Sequence, residues 1–187
     1  LNIINELKGP KLDQSLPRPI EFKNIKEIMH QINSIKDDNW IKKRNIALIS
    51  IIYGCGLRVN EALSIKFKDI PKNTSKGYIK IIGKGNKERI LPIYEDACKD
   101  LEYYIKNIRP FFSKDNGFYA LLFTNKNSKP ITRQYVWRSL KVRALKAGIN
   151  KNVSPHMIRH SYATHLLQGG ASIRHVQEFL GHNSVES

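Results

Sequence analysis

The chain has 187 residues, of which 41% are hydrophobic and 26% are charged, and 32 Lys and Arg against 16 Asp and Glu give it a net charge of +16. This length suits one domain of ordinary size, and no apolar run is long enough to span a bilayer. A domain this basic usually binds a polyanion, so the charge favours nucleic acid over an acidic protein or an anionic membrane surface. A genome rich in A and T, which enriches Lys and Asn, is the alternative source of the charge.

The start of the chain carries no signal-peptide pattern, and the two cysteines, Cys55 and Cys98, are too few for a structural zinc cluster. These features predict a cytoplasmic protein with free thiols. The chain begins without Met, which indicates a piece of a longer protein. Residues 1–19 combine three prolines with glycine and polar residues, and we predict that they form a linker.

Three helices are predicted in the first third of the chain. Apolar residues at three- and four-residue spacing predict a helix over 22–32. A longer helix is predicted over 40–53, where the glycines of the sequence GCG end it. The stretch LRVNEALSI, residues 57–65, predicts a short third helix.

The pattern then changes from helical to alternating. Residues 77–93 read GYIKIIGKGNKERILPI, which predicts a β-hairpin with its turn at 83–86. Further helices are predicted over 95–108 and 132–147, with a short strand at 120–125 between them.

Capping residues predict two more helices near the end of the chain. Ser154 is a good N-cap, Pro155 suits the first helical position, and a glycine pair beginning at Gly169 ends that helix. Ser172 and Gly181 begin and end the last one. The fold class that follows is α+β, predominantly helical, with one small antiparallel sheet.

The helix start SPHMIRH gathers cationic side chains. His156, Arg159 and His160 lie in its first turns, where the helix dipole disfavours positive charge. A bound anion such as phosphate would explain them, and a solvated helix end is the alternative. His156 and His160 have the spacing of a zinc protease, but Met157 stands where that motif needs its Glu.

Two turns present further cations. Arg58 follows the GCG turn, and Glu61, three residues later, is placed to pair with an arginine. Lys84 lies between two glycines at the hairpin tip, and Lys87 and Arg89 extend this basic edge, which suits contacts with DNA phosphates. Neither segment fits a dinucleotide-binding or P-loop motif. Taken alone, Arg58 would in most cases be an exposed surface charge, and the hairpin tip is equally well an ordinary soluble turn.

Five residues share a placement that favours a common site. Arg58, Lys84, His156, Arg159 and His182 all lie at element ends or turns, where active sites are commonly built. All are cations or neutral donors, and no cluster of Asp and Glu accompanies them to bind Mg²⁺. Such a set favours metal-free phosphoryl transfer, with the donors stabilising charge on the phosphate oxygens.

Together these motifs resemble the catalytic domain of the tyrosine recombinases, the phage integrase family, and most closely its bacterial Xer group. The resemblance rests on CGLRVNE, IIGKGNKERILPI and SPHMIRHSYATHLLQGGASIRHVQEFLGH, which occur in the family's order from about residue 20 to the end. The run HxxRHxxAT followed by LGH is the most specific of them.

The resemblance implies a role for each residue of the site. Arg58 and Arg159 would bind the scissile phosphate, and His156 and His182 would hydrogen-bond it and assist proton transfer. Lys84 would protonate the leaving 5′-oxygen.

A supporting residue and a nucleophile are also implied. Glu61 would order the site, and a tyrosine about nine residues after His182 would attack the phosphate. That position falls past Ser187, and the last tyrosine of the chain, Tyr162, is expected to be a packing residue. We therefore expect this chain to lack the nucleophile and, alone, to be inactive in strand cleavage.

The implied function is site-specific DNA recombination through a 3′-phosphotyrosyl intermediate, with no metal, ATP or other cofactor. The implied partners are a duplex recombination site and other recombinase subunits in a tetramer, and no membrane. Residues 1–19 would tether an N-terminal core-binding domain to a catalytic domain over 20–187. Xer-type resolution of chromosome or plasmid dimers, which serves chromosome partition and cell division, is the first expectation; a mobile-element integrase and a non-catalytic DNA-binding module are the alternatives.

Overall fold

The computed structural model describes residues 19–33, 40–71, 77–83, 87–113, 115, 117–149 and 153–181. This part of the chain forms seven α-helices and one antiparallel pair of strands. The helices are α1 (Phe22–Asn33), α2 (Trp40–Gly54), α3 (Val59–Ser64), α4 (Glu95–Asn107), α5 (Arg133–Lys146), α6 (Pro155–Gln168) and α7 (Ile173–Leu180), and the strands are β1 (Tyr78–Ile82) and β2 (Glu88–Pro92). The predicted α+β class, mostly helical with one small sheet, is confirmed.

Helix α2 forms the centre of the core. Leu48, Ile51 and Ile52 are almost completely buried, and the helix packs against α1, α4 and α6. The second half of α2, IALISII over 46–52, is apolar on most of its circumference, and such a segment is stable only when other elements surround it. Its C-terminal turn, at Gly56, is therefore held inside the domain. No helix in the described ranges is both long and apolar enough to cross a membrane.

The hairpin lies beside this core and turns one face toward it. Ile79 of β1 lies opposite Leu91 of β2, and both are buried, while Ile81 lies opposite Arg89. Because side chains alternate between the faces of a strand, Arg89 lies on the same inward face as Leu91. The predicted hairpin is confirmed in its strands, and its tip at 84–86 lies outside the described residues.

The two predicted helix starts near the end of the chain are confirmed in detail. The Ser154 hydroxyl accepts a hydrogen bond from the Met157 backbone N–H at 3.3 Å, and the Ser172 hydroxyl accepts one from the His175 N–H at 3.2 Å. Gly181 ends α7 in the left-handed conformation with φ of 61°. These caps fix where α6 and α7 begin and where α7 ends.

The predicted strand at 120–125 is wrong, because the segment forms only isolated bridges, one of them at Leu121. Side chains occupy the carbonyls that a strand ladder would use. Leu122 O accepts hydrogen bonds from Arg109 Nε and from the Tyr104 hydroxyl, each at 3.0 Å, and Leu121 O accepts one from Arg109 Nη2 at 2.7 Å.

The first described residues are anchored to α6. Ile20 is fully buried, and its N–H donates to the Ser161 hydroxyl at 2.7 Å. Residues 1–18 of the predicted linker lie outside the described residues, so the domain boundary near residue 19 stays a prediction.

Candidate active site

The site begins at the N-terminus of α3, directly after the buried turn that ends α2. Arg58 is the N-cap residue, and its backbone N–H donates to Glu61 Oε2 at 2.8 Å. Its guanidinium returns to the same carboxylate, with Nη1 at 3.2 Å from Oε1. The side chain of Arg58 is 45% exposed, so one side of this guanidinium faces solvent.

Glu61 is the centre on which three arginines converge. The residue is only 8% exposed. Besides Arg58, Arg89 Nη2 approaches its Oε2 at 3.0 Å and Arg159 Nη1 approaches the same oxygen at 3.8 Å. We call Arg58, Arg89, Arg159 and Glu61 the arginine cluster. Three guanidiniums around one carboxylate leave an excess of positive charge at this point.

Arg159, on α6, is the most deeply placed of the three, with 6% of its surface exposed. Its Nη1 donates to Gly56 O at 2.6 Å and its Nη2 to Leu180 O at 2.5 Å. These two carbonyls fix the plane of the guanidinium. A guanidinium carries five N–H donors, so it can be held in this way and still offer donors to an anion.

The C-terminus of α7 closes the cluster from the other side. Leu180 O also lies 3.5 Å from Arg58 Nη1, and Phe179 O accepts from Arg89 Nε at 3.3 Å. The last carbonyls of a helix lack helical partners and carry partial negative charge, so cationic donors stabilise them. The end of α7 is thereby docked on the arginines, immediately before Gly181.

The charges in the cluster shift one another's pKa values. Burial alone would raise the pKa of Glu61, but the hydrogen bonds from Arg89 and from the Arg58 N–H, with the charges of Arg89 and Arg159, outweigh it and hold the pKa below its usual range. Burial and the nearby Arg58 lower the pKa of Arg159 to about 10, so it is protonated at neutral pH. A bound anion would relieve this repulsion.

The structure brings together three of the residues that the sequence singled out. Arg58, Glu61 and Arg159 come from two different helices and meet in the cluster. His156 is exposed in the first turn of α6, three residues before Arg159 and hence on the same side of that helix. The catalytic role of each stays a prediction.

Two further predicted residues, Lys84 and His182, lie outside the described residues. Their neighbours along the chain can be placed. Gly83 follows β1 and its N–H donates to Lys87 O at 2.8 Å, and Gly181 lies against the Arg89 guanidinium.

The position of Arg89 is what the sequence interpretation missed. Arg89 was expected to extend a basic edge together with Lys87, and Lys87 is indeed exposed. The Arg89 side chain, by contrast, is only 17% exposed and points to Glu61. The alternation that places Leu91 and Ile93 in the core already puts residue 89 on the inward face. Whether Lys87 and Arg89 contact DNA stays a prediction.

Tyr162 packs beneath the site. Its ring lies against Gly56, where a Cβ atom would come within 2.3 Å of Tyr162 Cδ1 and where φ is +60°. Tyr162 is buried with Val176 and Leu180, and burial raises its pKa to about 12. Both features fit a packing residue, and both oppose its use as a nucleophile.

Within the described ranges, no group of three or more His, Cys, Asp or Glu side chains is arranged to hold a metal ion.

Comparison with known proteins defines the class. The sequence matches the phage integrase family over residues 18–187, and the chain belongs to this family. It is 38% identical to the tyrosine recombinase XerD of Staphylococcus saprophyticus and to that of Oceanobacillus iheyensis, over 97% of this chain and 59% of each relative. The chain thus spans about three fifths of the length of these relatives.

Solved structures share the fold. A crystal structure of XerA recombinase is 28% identical with a TM-score of 0.77, covering 91% of this chain and 58% of that one. The XerH site-specific recombinase in a pre-cleavage complex with its difH substrate is 32% identical with a TM-score of 0.76, covering 90% and 48%. The Tn1549 transposon integrase in complex with DNA, 21% identical with a TM-score of 0.73, has the same fold.

Proposed function

We propose that this chain is the catalytic domain of a site-specific DNA recombinase and that Arg58 and Arg159 of the arginine cluster bind the phosphodiester at which a strand is cut. The convergence of Arg58, Arg89 and Arg159 on the single carboxylate of Glu61 carries this proposal, because it leaves excess positive charge at a point open to solvent through Arg58. Guanidinium groups bind phosphate oxygens with good geometry. The DNA-bound XerH structure, which shares this fold, supports the assignment.

The reaction is an in-line exchange at phosphorus. A tyrosine hydroxyl, expected beyond His182, passes its proton to one of the two histidines, His156 or His182, and forms the new P–O bond. The bond to the 5′-oxygen breaks in the same step, giving a 3′-phosphotyrosyl link and a free 5′-hydroxyl. Arg58 and Arg159 stabilise the charge on the non-bridging oxygens as the transition state forms. Lys84 gives its proton to the leaving 5′-oxygen. The 5′-hydroxyl of a partner strand then reverses the step, so neither ATP nor a metal ion is consumed.

The remaining residues orient the phosphate and move protons. His156, exposed at the start of α6 on the same side as Arg159, is placed to donate to a phosphate oxygen. His182 follows the docked end of α7 and is assigned the same role. Glu61 orders the site, because its carboxylate reduces the repulsion between the arginines that it contacts.

The biological task we propose is Xer-type resolution of chromosome or plasmid dimers before chromosome partition and cell division. The similarity to the XerD recombinases supports this over mobile-element integration, since the transposon integrase shares only the fold. Such a protein acts in the cytoplasm on a duplex recombination site, in a tetramer with other recombinase subunits.

Trapping the covalent intermediate tests the chemistry. The full-length gene product is incubated in EDTA with a nicked duplex that carries a candidate recombination site, and we expect a protein–DNA adduct that survives denaturant. Arg159→Ala should raise the barrier to adduct formation by about 2.7–4 kcal/mol, the loss typical of a donor that stabilises a developing oxyanion. Arg138→Ala, which removes an exposed charge on α5, is the control. An Arg159→Ala variant that forms the adduct at the wild-type rate would contradict the assignment.

A binding measurement tests the electrostatic part on the present chain alone. The affinity for duplex DNA should fall steeply with salt, because each phosphate contact contributes ~0.9 to the slope of log K against log salt. Salt-independent binding would contradict a basic phosphate site.

A further inference from the structure

We infer that Arg89 is a positioning residue of the phosphate site, which acts through Glu61 and the end of α7 to keep Arg159 available to the DNA phosphodiester. This inference rests on the proposed function. Arg89 itself is not assigned a contact with the phosphate.

Arg89 bridges two elements with one guanidinium. From β2, its Nη2 reaches Glu61 Oε2 on α3 at 3.0 Å, and its Nε donates to Phe179 O at the end of α7 at 3.3 Å. A lysine has a single nitrogen at the end of its side chain and cannot reproduce this planar two-point contact. The bridge therefore requires an arginine at this position.

The bridge determines which arginine neutralises Glu61. A buried carboxylate is strongly destabilising unless a cation lies close to it. Arg89 fills this need at Oε2 at 3.0 Å, while Arg159 remains 3.8 Å from the same oxygen and donates to Gly56 O and Leu180 O instead. Without Arg89, Arg159 is the neighbouring guanidinium that Glu61 Oε2 would attract, which would withdraw it from an incoming phosphate.

The same side chain also packs against the residue that ends α7. A Cβ atom at Gly181 would lie 3.2 Å from both Cζ and Nη1 of Arg89, so the guanidinium packs directly against this glycine. Gly181 also has a φ of +61°, which glycine adopts without strain. The contact holds Gly181 against the hairpin at the end of α7.

A simple structural role makes a different prediction. If Arg89 only stabilised the hairpin, its loss would lower the free energy of unfolding and leave phosphate binding in the folded protein unchanged. The positioning role requires that the loss of Arg89 change the pH dependence of phosphate binding as well as its affinity.

The probe is dimethyl phosphate, the simplest phosphodiester, titrated into the ¹⁵N-labelled chain and followed through the arginine Nε–H signals by NMR. In the wild type we expect the signals of Arg58 and Arg159 to shift. Arg89→Ala should weaken binding about tenfold, as loss of an outer residue that holds a ligand in place commonly does. Arg89→Lys should restore only part of this loss. Arg174→Ala, which removes an exposed charge at the other end of α7, should stay within about twofold of the wild type.

A pH profile supplies the readout that a structural role would not move. The described charged groups that face Glu61 are Arg58 on its own helix, Arg89 on β2 and Arg159 on α6. In the wild type they hold the pKa of Glu61 below its ordinary value, so Glu61 stays ionised in mildly acidic buffer, and the wild type is the reference for the effect of pH on all other groups of the site. In Arg89→Ala, burial is less opposed and Glu61 takes up a proton on acidification. Arg159 is then released, and the affinity should rise toward that of the wild type.

The possible outcomes distinguish a failure of the positioning role from a failure of the proposed function. If dimethyl phosphate leaves the Arg58 and Arg159 signals of the wild type unmoved, the proposed function fails. If the wild type binds and Arg89→Ala binds equally well, the positioning role is overturned while the function stands. The same holds if Arg89→Ala and the control Arg174→Ala weaken binding by the same factor. Should Arg89→Ala not fold, Arg89→Lys carries the test, and wild-type affinity with an unchanged pH profile in that variant overturns the inference.

Discussion

The chain buries arginine side chains in two contrasting environments. Arg109 is 1% exposed and donates to the carbonyls of Leu122 at 3.0 Å and of Asp115 and Leu121 at 2.7 Å, while its guanidinium lies 4.4 Å from the centre of the Phe67 ring. Its charge is thus surrounded by fixed dipoles and an aromatic face. It fastens the loop that follows α4 to the core.

The arginine cluster is built on the opposite principle. Arg159 is nearly as buried, yet like charges surround it, and the neighbouring Arg58 and Arg89 help to lower its pKa. Burial alone therefore does not distinguish an arginine that is proposed to bind phosphate from one that only holds a loop in place. What distinguishes them is whether the surroundings complete the solvation of the charge or leave positive charge in excess for an anion.

The largest effect on stability is expected from the structural arginine. Arg109→Ala should lower the free energy of unfolding by about 3–4 kcal/mol, because three carbonyls, of which that of Leu122 is buried, lose a charged donor and the core loses the buried guanidinium. Urea unfolding measures this, with the exposed Arg138→Ala as a control expected to change stability by less than about 0.5 kcal/mol. Dimethyl phosphate binding by the folded fraction should be unchanged. A loss of binding in this variant would contradict a purely structural role for Arg109.

The next effect concerns the glycine that supports the cluster. Gly56→Ala should cost about 2–4 kcal/mol, since the residue has positive φ and its Cβ would collide with Tyr162. Gly148→Ala is the matched control, because it shares a positive φ but has no atom within 4 Å of its Cβ, and it should cost only about 1–2 kcal/mol. Equal costs in thermal or urea unfolding would show that the close approach to Tyr162 is unimportant.

A smaller, pH-dependent effect is expected at Glu61. Its pKa in the folded chain lies below the ordinary 4.5, so its contribution to stability is present above that pH and is lost as the pH falls through the lower folded value. Glu61→Gln should cost about 2 kcal/mol at neutral pH, since the arginines lose their carboxylate. The difference in unfolding free energy from the wild type should shrink on acidification. A difference that stays constant with pH would contradict the assigned charge state.

The smallest effect is expected where a similar ion pair faces water. Lys106 pairs with Glu102 on the surface of α4, and the Lys106 side chain is 67% exposed. Lys106→Ala should lower the free energy of unfolding by only about 0.3–0.5 kcal/mol, and salt should reduce this difference further. A cost as large as that of Glu61→Gln would show that burial does not set the strength of these pairs.

Features that depend on neighbours in sequence could be predicted. Ser154 and Ser172 cap their helices as expected, because an N-cap bond spans only three residues. The hairpin strands follow from alternation in the same way. That Arg58 and Arg159 share a site was predicted from their placement at element ends and from the family resemblance, whereas their meeting around Glu61 depends on how α3 and α6 come together in the fold and could not be read from the sequence.

Features that depend on distant partners were missed for a physical reason. Residues 120–125 have the composition of a strand, but Arg109 takes the carbonyls of Leu121 and Leu122 that a ladder would need. Arg89 reads as one more surface cation of the hairpin until its guanidinium meets Glu61 on α3 and Phe179 O on α7. In both cases the partner that decides the structure comes from another element of the chain.

The docked end of α7 has a consequence for how the protein is made. The bond from Arg159 to Gly56 joins residues 103 apart in sequence, and the contact of Arg58 with Leu180 joins residues 122 apart. Contacts of such long range form slowly during folding. In a chain emerging from the ribosome, the arginine cluster is assembled only after residue 180 has been synthesised and α7 has docked. Assembly of the cluster thus reports that the hairpin, α3, α6 and α7 have come together.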